Sequence, residues 1–207
     1  MGIITPLGRD EPVPKWATPL VVVKKPDNSV RLCGDFKVTL NPNLVVEEHP
    51  LPRIEDLLAT VGPAEYYSVV DLSQAYLQME LSKESQDLCY LNTHKGLYKM
   101  LRMPYGITDA PSIFQREMDH LMKDIPGVKC LLDDVLIVGR TKEEALSRID
   151  RVFKVIKEAG LRLKKKKCQF LKSEVNYLGY VIGKDGLKTN KEKVAPILGM
   201  KSPENVK

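Results

Sequence analysis

Over its first hundred residues the chain alternates short apolar runs with proline, glycine and charged breaks. It then changes to longer amphipathic stretches. Residues 18–25 and 29–36 are β-rich runs around Pro26-Asp27-Asn28-Ser29, a composition that predicts a hairpin. Pro42, Pro50 and Pro52 mark a connector, and 53–60 reads as a short helix that Gly62-Pro63 terminates. A β-rich run over 66–71 leads into 75–81 and a polar turn or helix near 82–88. Residues 89–93 and 97–102 predict a second hairpin around Lys95-Gly96. From Ala110 to Met122, Phe114, Met118, Leu121 and Met122 fall on one helical face, and Pro111 suits the first turn. Thr141-Lys142-Glu143-Glu144 is a capping box. The helix it opens should bury Ala145, Ile149, Val152, Phe153 and Ile156 and stop at Gly160. Residues 161–163 and 175–182 are further strand candidates, and 1–16 should be extended.

The central order is therefore strand, helix, hairpin, helix, strand. That is the split β-α-β pattern of a ferredoxin-like antiparallel sheet, an α+β class. It predicts that strand 66–71 neighbours the hairpin in the run Val128–Val138, whose tip carries Asp133-Asp134. Two adjacent carboxylates raise each other's pKa, a cost that a divalent cation removes. Hard oxygen ligands suit Mg²⁺. Alone, an Asp-Asp pair is more often a polar turn. Asp71, closing the strand over 66–71, changes that balance. Three convergent carboxylates can hold two metals about 3.5–4 Å apart for in-line phosphoryl or nucleotidyl transfer.

Composition adds modest constraints. The 207 residues are 43% hydrophobic and 29% charged, which are globular values. The net charge of +5 suits a polyanionic partner. Much of the excess comes from Arg162 and Lys164–Lys167, read first as a solvated face and second as a phosphate contact. Cys33, Cys89, Cys130 and Cys168 have no zinc spacing, and His49, His94 and His120 form no shared motif. No stretch suggests a signal peptide or a membrane span. An intracellular protein, cytoplasmic or nuclear, is expected.

A series of motifs runs in order along almost the whole chain: Trp16–Lys25, Val30–Lys37, Leu51-Pro52-Arg53, Ser68–Tyr76, Met103–Gln115, Asp133-Asp134, Lys167–Phe170 and Tyr177–Tyr180. On these the chain resembles the fingers and palm of a reverse transcriptase from a gypsy-type LTR retrotransposon. The resemblance implies a polymerase palm with a ferredoxin-like sheet plus a β-rich fingers part, with the thumb absent. Residues 1–65 and 82–105 would form the fingers-like part, 66–81 and 106–187 the palm, and 188–207 the start of a connector towards the thumb. It implies an RNA-directed DNA polymerase that adds dNTPs to a primer on an RNA or DNA template. Two Mg²⁺ ions, with Mn²⁺ as a substitute, would be held by Asp71, Asp133 and Asp134. Ribonuclease H and integrase domains belong to a full-length polyprotein of this kind, and their motifs are absent here.

The same resemblance implies roles for other residues. Lys25 (or Lys24 in its place) and Arg31 would reach the incoming triphosphate. Gln74, Ala75 and Tyr76 would hold phosphate and sugar, with Tyr76 excluding a 2′-hydroxyl unless it is simply a core tyrosine. Tyr105 and Gly106 would complete the dNTP pocket. Gln115, Leu178 and Gly179 would meet nucleic acid, and Phe114 would be core. Lys167 loosely matches a lysine that protonates pyrophosphate. The pattern is broken at Leu131, where the family has tyrosine beside the template–primer. Lesser departures are Asp109 for asparagine and Leu77 for histidine. Leu131 motivates a second reading, a catalytically impaired remnant that retains nucleic-acid binding. A metal-dependent nuclease is a third, which leaves the dNTP-pocket motifs unexplained.

Overall fold

The computed structural model describes residues 2–24, 28–45, 49–53, 56, 57, 59, 64–190, 194, 195 and 198–200. Lys25, half of the helix expected over 53–60 and most of the connector expected over 188–207 lie outside these residues. In chain order the strands are β1 (Ile4–Pro6), β2 (Thr18–Lys24), β3 (Val30–Gly34), β4 (Tyr66–Asp71), β5 (Tyr90–Thr93), β6 (Gly96–Met100), β7 (Val128–Leu131), β8 (Asp134–Gly139), β9 (Gln169–Lys172), β10 (Glu174–Tyr177), β11 (Tyr180–Gly183) and β12 (Gly186–Thr189). The α-helices that lie wholly within the described residues are α1 (Lys83–Gln86), α2 (Ala110–Met122) and α3 (Lys142–Glu158).

The chain divides into two compact units, Met1–Leu51 with Gln74–His120, and Pro52–Ser73 with Leu121–Lys207. Residues 74–81 and 106–120, grouped from the sequence with the strand that ends in Asp71, belong to the first unit.

The first unit is built on a five-stranded sheet of order β1-β6-β5-β2-β3. Both predicted hairpins are present: β2 pairs antiparallel with β3 (Val22↔Leu32), and β5 with β6 (Thr93↔Gly96). A short parallel pairing, Thr18↔Leu91, joins the hairpins. Phe36, Leu40, Cys89, Leu91 and Met100 form the unit's core. After Asp71 the extended backbone stops. Gln74 takes φ +52, and Ala75–Gln78 coil into one 3-10 turn closed by the Met79 N–H donating to Tyr76 O (3.0 Å).

The second unit carries the predicted antiparallel sheet, in the order β7-β8-β4-β9. After β4 the chain passes through the first unit and returns as β7-β8-α3-β9. Strand alternation gives each face a separate task. Tyr67 and Val69 of β4 and Leu136 and Val138 of β8 pack with Val175 and Tyr177 of β10 and Ile182 of β11. Gly139 looks the other way, at α3, where any Cβ would stand 2.6 Å from the Ala145 backbone nitrogen. Val135 and Ile137 share its side of β8. Helix α3 starts as the sequence predicts: Thr141 Oγ1 accepts the Glu144 N–H at 3.2 Å, while Glu144 Oε2 accepts the Arg140 N–H at 2.6 Å. It buries Ala145, Ile149, Val152 and Ile156, while Phe153 is half-buried and meets Phe170 edge-on at 5.8 Å.

Candidate active site

Register places the carboxylates. Antiparallel pairing of β4 with β8 sets Asp71 opposite Asp134, and pairing of β7 with β8 sets Leu131 opposite the same Asp134. Leu131, Asp134 and Asp71 therefore lie in a row across three strands. Leu132 and Asp133 form the two-residue hairpin loop, with Leu132 at φ +53, a conformation that costs a leucine about 1–2 kcal/mol. The Leu72 N–H donates to Asp133 O (2.8 Å), strapping the loop to the end of β4. By parity Asp71 and Asp134 project from the face that packs on β10, opposite α3. Tyr177, buried under that face, directs its hydroxyl at Asp134 O at 3.4 Å.

The three acids differ in surroundings. Asp71 is 5% exposed, Asp133 is exposed and Asp134 is half-buried. Burial first, then the charges of Asp133 and Asp71, push the Asp134 carboxyl up to about 6. That shift corresponds to at most about 3 kcal/mol at neutral pH. Val70, Val135 and Ile137 behind the acids are almost fully buried. At about 1.5–3 kcal/mol each, their burial offsets a cost of that size.

Lys167 supplies a counter-charge. Its Nζ donates to Asp71 Oδ2 at 2.7 Å. That hydrogen bond above all, and then the attraction of Asp71, Asp133 and Asp134, raises the lysine's pKa. The basic run is thus not only a solvated face. Its backbone is bound to the end of β4: the Ser73 N–H donates to Arg162 O (2.9 Å), Leu72 bridges Leu163, and the Lys164 N–H donates to Asp71 O (2.9 Å). Hard carboxylate oxygens with surplus negative charge fit a hard divalent cation. Among the described residues, however, no three His, Cys, Asp or Glu side chains are grouped around one metal position.

The residues expected in a dNTP pocket fall in the first unit, apart from Lys25, which lies outside the described residues. The Arg31 guanidinium stands 4.7 Å from the centre of the Tyr105 ring. Tyr105 tilts against Tyr76 at 5.6 Å, and Tyr76 meets Phe114 edge-on at 5.6 Å. Arg31, Gln74 and Tyr105 line a largely apolar cavity of about 340 Å³ with Leu32, Leu77 and Leu91. Gln74 and Gly106 are exposed, and Ala75 is buried. Asn41, which the sequence did not single out, fixes this segment: its Nδ2 donates to Gly106 O (2.9 Å), and its Oδ1 accepts the Thr108 N–H (3.1 Å).

The remaining expectations divide. Leu178 (φ +51) and Gly179 (φ +86) are the two central residues of a tight turn between β10 and β11, with both φ positive as such a turn requires. Leu178 also packs on the second unit's core. Gln115 differs from expectation. It is fully buried, and its Nε2 donates to Asp119 Oδ1 at 2.8 Å, so its amide is used inside the fold.

The three acids stand together at one end of the β7-β8-β4-β9 sheet, and the Arg31–Tyr105 stack belongs to the first unit. Residues 23–182 match the family model described as reverse transcriptase (RNA-dependent DNA polymerase), and the chain belongs to that family. More narrowly, it is related to the Pol polyproteins of gypsy-type retrotransposons. It is 35% identical over 196 residues to the retrovirus-related Pol polyprotein from transposon 297 of Drosophila melanogaster, covering 92% of this chain and 18% of that protein. It is 32% identical over 212 residues to that from transposon gypsy of the same organism, covering 99% and 20%. Two structures of the foamy viral protease-reverse transcriptase resemble it over 98% of its length. One is in complex with double-stranded DNA (TM-score 0.89, 27% identity, 35% of that chain covered) and one with an RNA/DNA hybrid (TM-score 0.86, 26% identity, 26% covered). The chain spans a fifth or less of the two transposon polyproteins. Among the described residues no helix is long and apolar enough to cross a membrane.

Proposed function

We propose that this chain is an RNA-directed DNA polymerase domain of a retroelement, joining dNTPs to a primer by two-metal nucleotidyl transfer. The observation that carries the reading is the register that puts Asp71 opposite Asp134, with Asp133 strapped beside them. These three residues would hold the Mg²⁺ ions, or Mn²⁺ in their place. Bound there, the metals would supply Lewis acidity to the primer 3′-hydroxyl and the triphosphate. We read the first unit as fingers-like and the second as a palm.

Arg31, held over Tyr105, presents a guanidinium suited to bidentate phosphate contact. Lys25 is assigned to the same phosphates. Backbone N–H groups at Gln74 and Ala75 receive phosphate oxygens. Tyr76, fixed between Tyr105 and Phe114, presents a rigid ring to the sugar and disfavours a 2′-hydroxyl. Leu178 and Gly179 offer turn backbone to primer phosphates. The foamy viral relative, in complex with double-stranded DNA and with an RNA/DNA hybrid, supports template–primer as the partner. The test is primer extension on an RNA template with Mg²⁺ or Mn²⁺. Metal-dependent incorporation of dNTPs over NTPs is expected, and its absence in both metals would favour the second reading. That reading, an impaired remnant, rests on Leu131 standing directly beside Asp134.

Binding to a primer–template duplex should weaken steeply with salt, because each neutralised phosphate contributes about −0.9 to the slope of log affinity against log salt. Exposed Lys165 and Lys166 are candidates for such contacts. Replacing both with alanine should reduce the slope by nearly 2 in an anisotropy titration. An unchanged slope would return these two residues to a solvated face.

A further inference from the structure

Backbone rather than side-chain reach delivers Lys167 to the acids. The strap between 162–164 and 71–73 fixes the start of the segment, and a 3-10 turn over Lys165–Lys167 closes as the Lys167 N–H donates to Lys164 O at 2.8 Å. The side chain that results is 57% exposed, whereas its partner, the Asp71 side chain, is 7% exposed. A buried carboxylate without a partner is costly, so Asp71 requires a cation. An ammonium is a compact charge on a flexible stem, able to leave into water when a stronger cation arrives.

We propose that Lys167 is a tethered counter-cation, pairing with Asp71 in the metal-free chain and yielding to a divalent ion, so that it sets the affinity of the carboxylates for metal. The proposal rests on the metal reading of Asp71, Asp133 and Asp134. It gives Lys167 a positioning role, separate from any proton transfer. Metal binds the fraction of molecules in which the pair is open, and the apparent affinity falls in proportion to that fraction. A pair closed about nine-tenths of the time weakens metal binding about tenfold. A lysine that served only nucleotide or nucleic acid would leave metal affinity unchanged in their absence.

The test is Mn²⁺ binding to the 207-residue chain, followed by electron paramagnetic resonance without nucleotide or nucleic acid. Lys167→Met should bind Mn²⁺ about tenfold more tightly than the unmodified chain. Lys167→Arg, which keeps the charge, should stay close to the unmodified chain. Lys167→Gln should tighten binding as methionine does and guards against a folding defect in that variant. Thermal melting gives a second readout. The neutral variants should melt lower than the unmodified chain without metal, and the gap should close at saturating Mn²⁺. Equal or weaker Mn²⁺ affinity in both neutral variants overturns the proposal. If that affinity still requires Asp133, the metal reading survives and only the role of Lys167 falls. If neither the unmodified chain nor any variant binds Mn²⁺, the metal reading itself fails, and the proposal fails with it.

Discussion

Asp71→Asn and Asp133→Asn should each lower primer extension by about three orders of magnitude or more, whereas Asp134→Asn should make the metal-free chain more stable. On the proposed two-metal function, loss of a ligand would remove several kcal/mol of transition-state stabilisation, and each 1.36 kcal/mol is tenfold in rate. The stability arm follows from a carboxyl raised from 3.8 to about 6 by burial and by its two acidic neighbours. A folded-state pKa above the unfolded value means that the folded chain holds the proton more tightly. Stability contributed by this group is therefore greatest below pH 4, declines as pH rises towards 6, and stays low at pH 7. The full decline is at most about 3 kcal/mol. Asparagine keeps the shape without the charge. Without metal at pH 7.5, Asp134→Asn should melt several degrees higher, and below pH 4 the difference should vanish. Mg²⁺ should stabilise the unmodified chain by mass action, reaching about 2.7 kcal/mol at a hundred times its dissociation constant, and should stabilise Asp134→Asn less. Thermal melts across pH with and without Mg²⁺ decide the matter. An Asp134→Asn chain that melts lower at pH 7.5 without metal would show that the three acids do not repel one another, and would remove the physical case for a cation among them.

Much of this strand arrangement could be read from residues because strand periodicity and turn chemistry act locally. Apolar runs on either side of Asp133-Asp134 define a hairpin, and the capping box at Thr141 starts α3 where expected. With the expected order of strand, helix, hairpin, helix and strand, these leave little choice about which strand lies beside β8. Other features depend on partners distant in sequence. Lys164 to Lys167 are four identical side chains in the sequence, and only a backbone strap to Asp71 and Ser73 directs the last of them to a carboxylate. Leu163 forms an isolated bridge rather than the strand expected over 161–163. Gln115 gives no sign in sequence that Asp119, one helical turn on, will take its amide. The extended run expected over 175–182 divides at Leu178-Gly179, because leucine there adopts a left-handed conformation that its type rarely favours. Residues 1–16 offer only a three-residue strand containing Pro6, which gains its pairing from β6 some ninety residues later.

Leu131→Tyr should raise primer extension by the 207-residue chain about 100-fold. Leu131 is the last residue of β7 and is paired with Asp134, so its side chain stands next to the carboxylate row. It is half-buried, which leaves part of it available to a primer end. In the resemblance drawn above, a tyrosine at this place packs on the template–primer beside the metals. Leucine preserves apolar bulk but offers neither a planar ring nor a hydroxyl, so on the proposed function the 3′-hydroxyl would be held less tightly against the reacting phosphate. An error of about 1 Å in such placement costs on the order of 100-fold in rate. The substitution leaves the carboxylates untouched. Mn²⁺ affinity should therefore be unchanged, and the gain should fall on the chemical step rather than on dNTP binding. Single-turnover extension, with dNTP concentration varied, separates the two. A rise in the limiting rate at constant apparent dNTP affinity supports a misplaced primer end. Robust extension by the unmodified chain, with no gain from tyrosine, would show that leucine serves as well as tyrosine beside Asp134. The impaired-remnant reading would then lose the observation on which it stands.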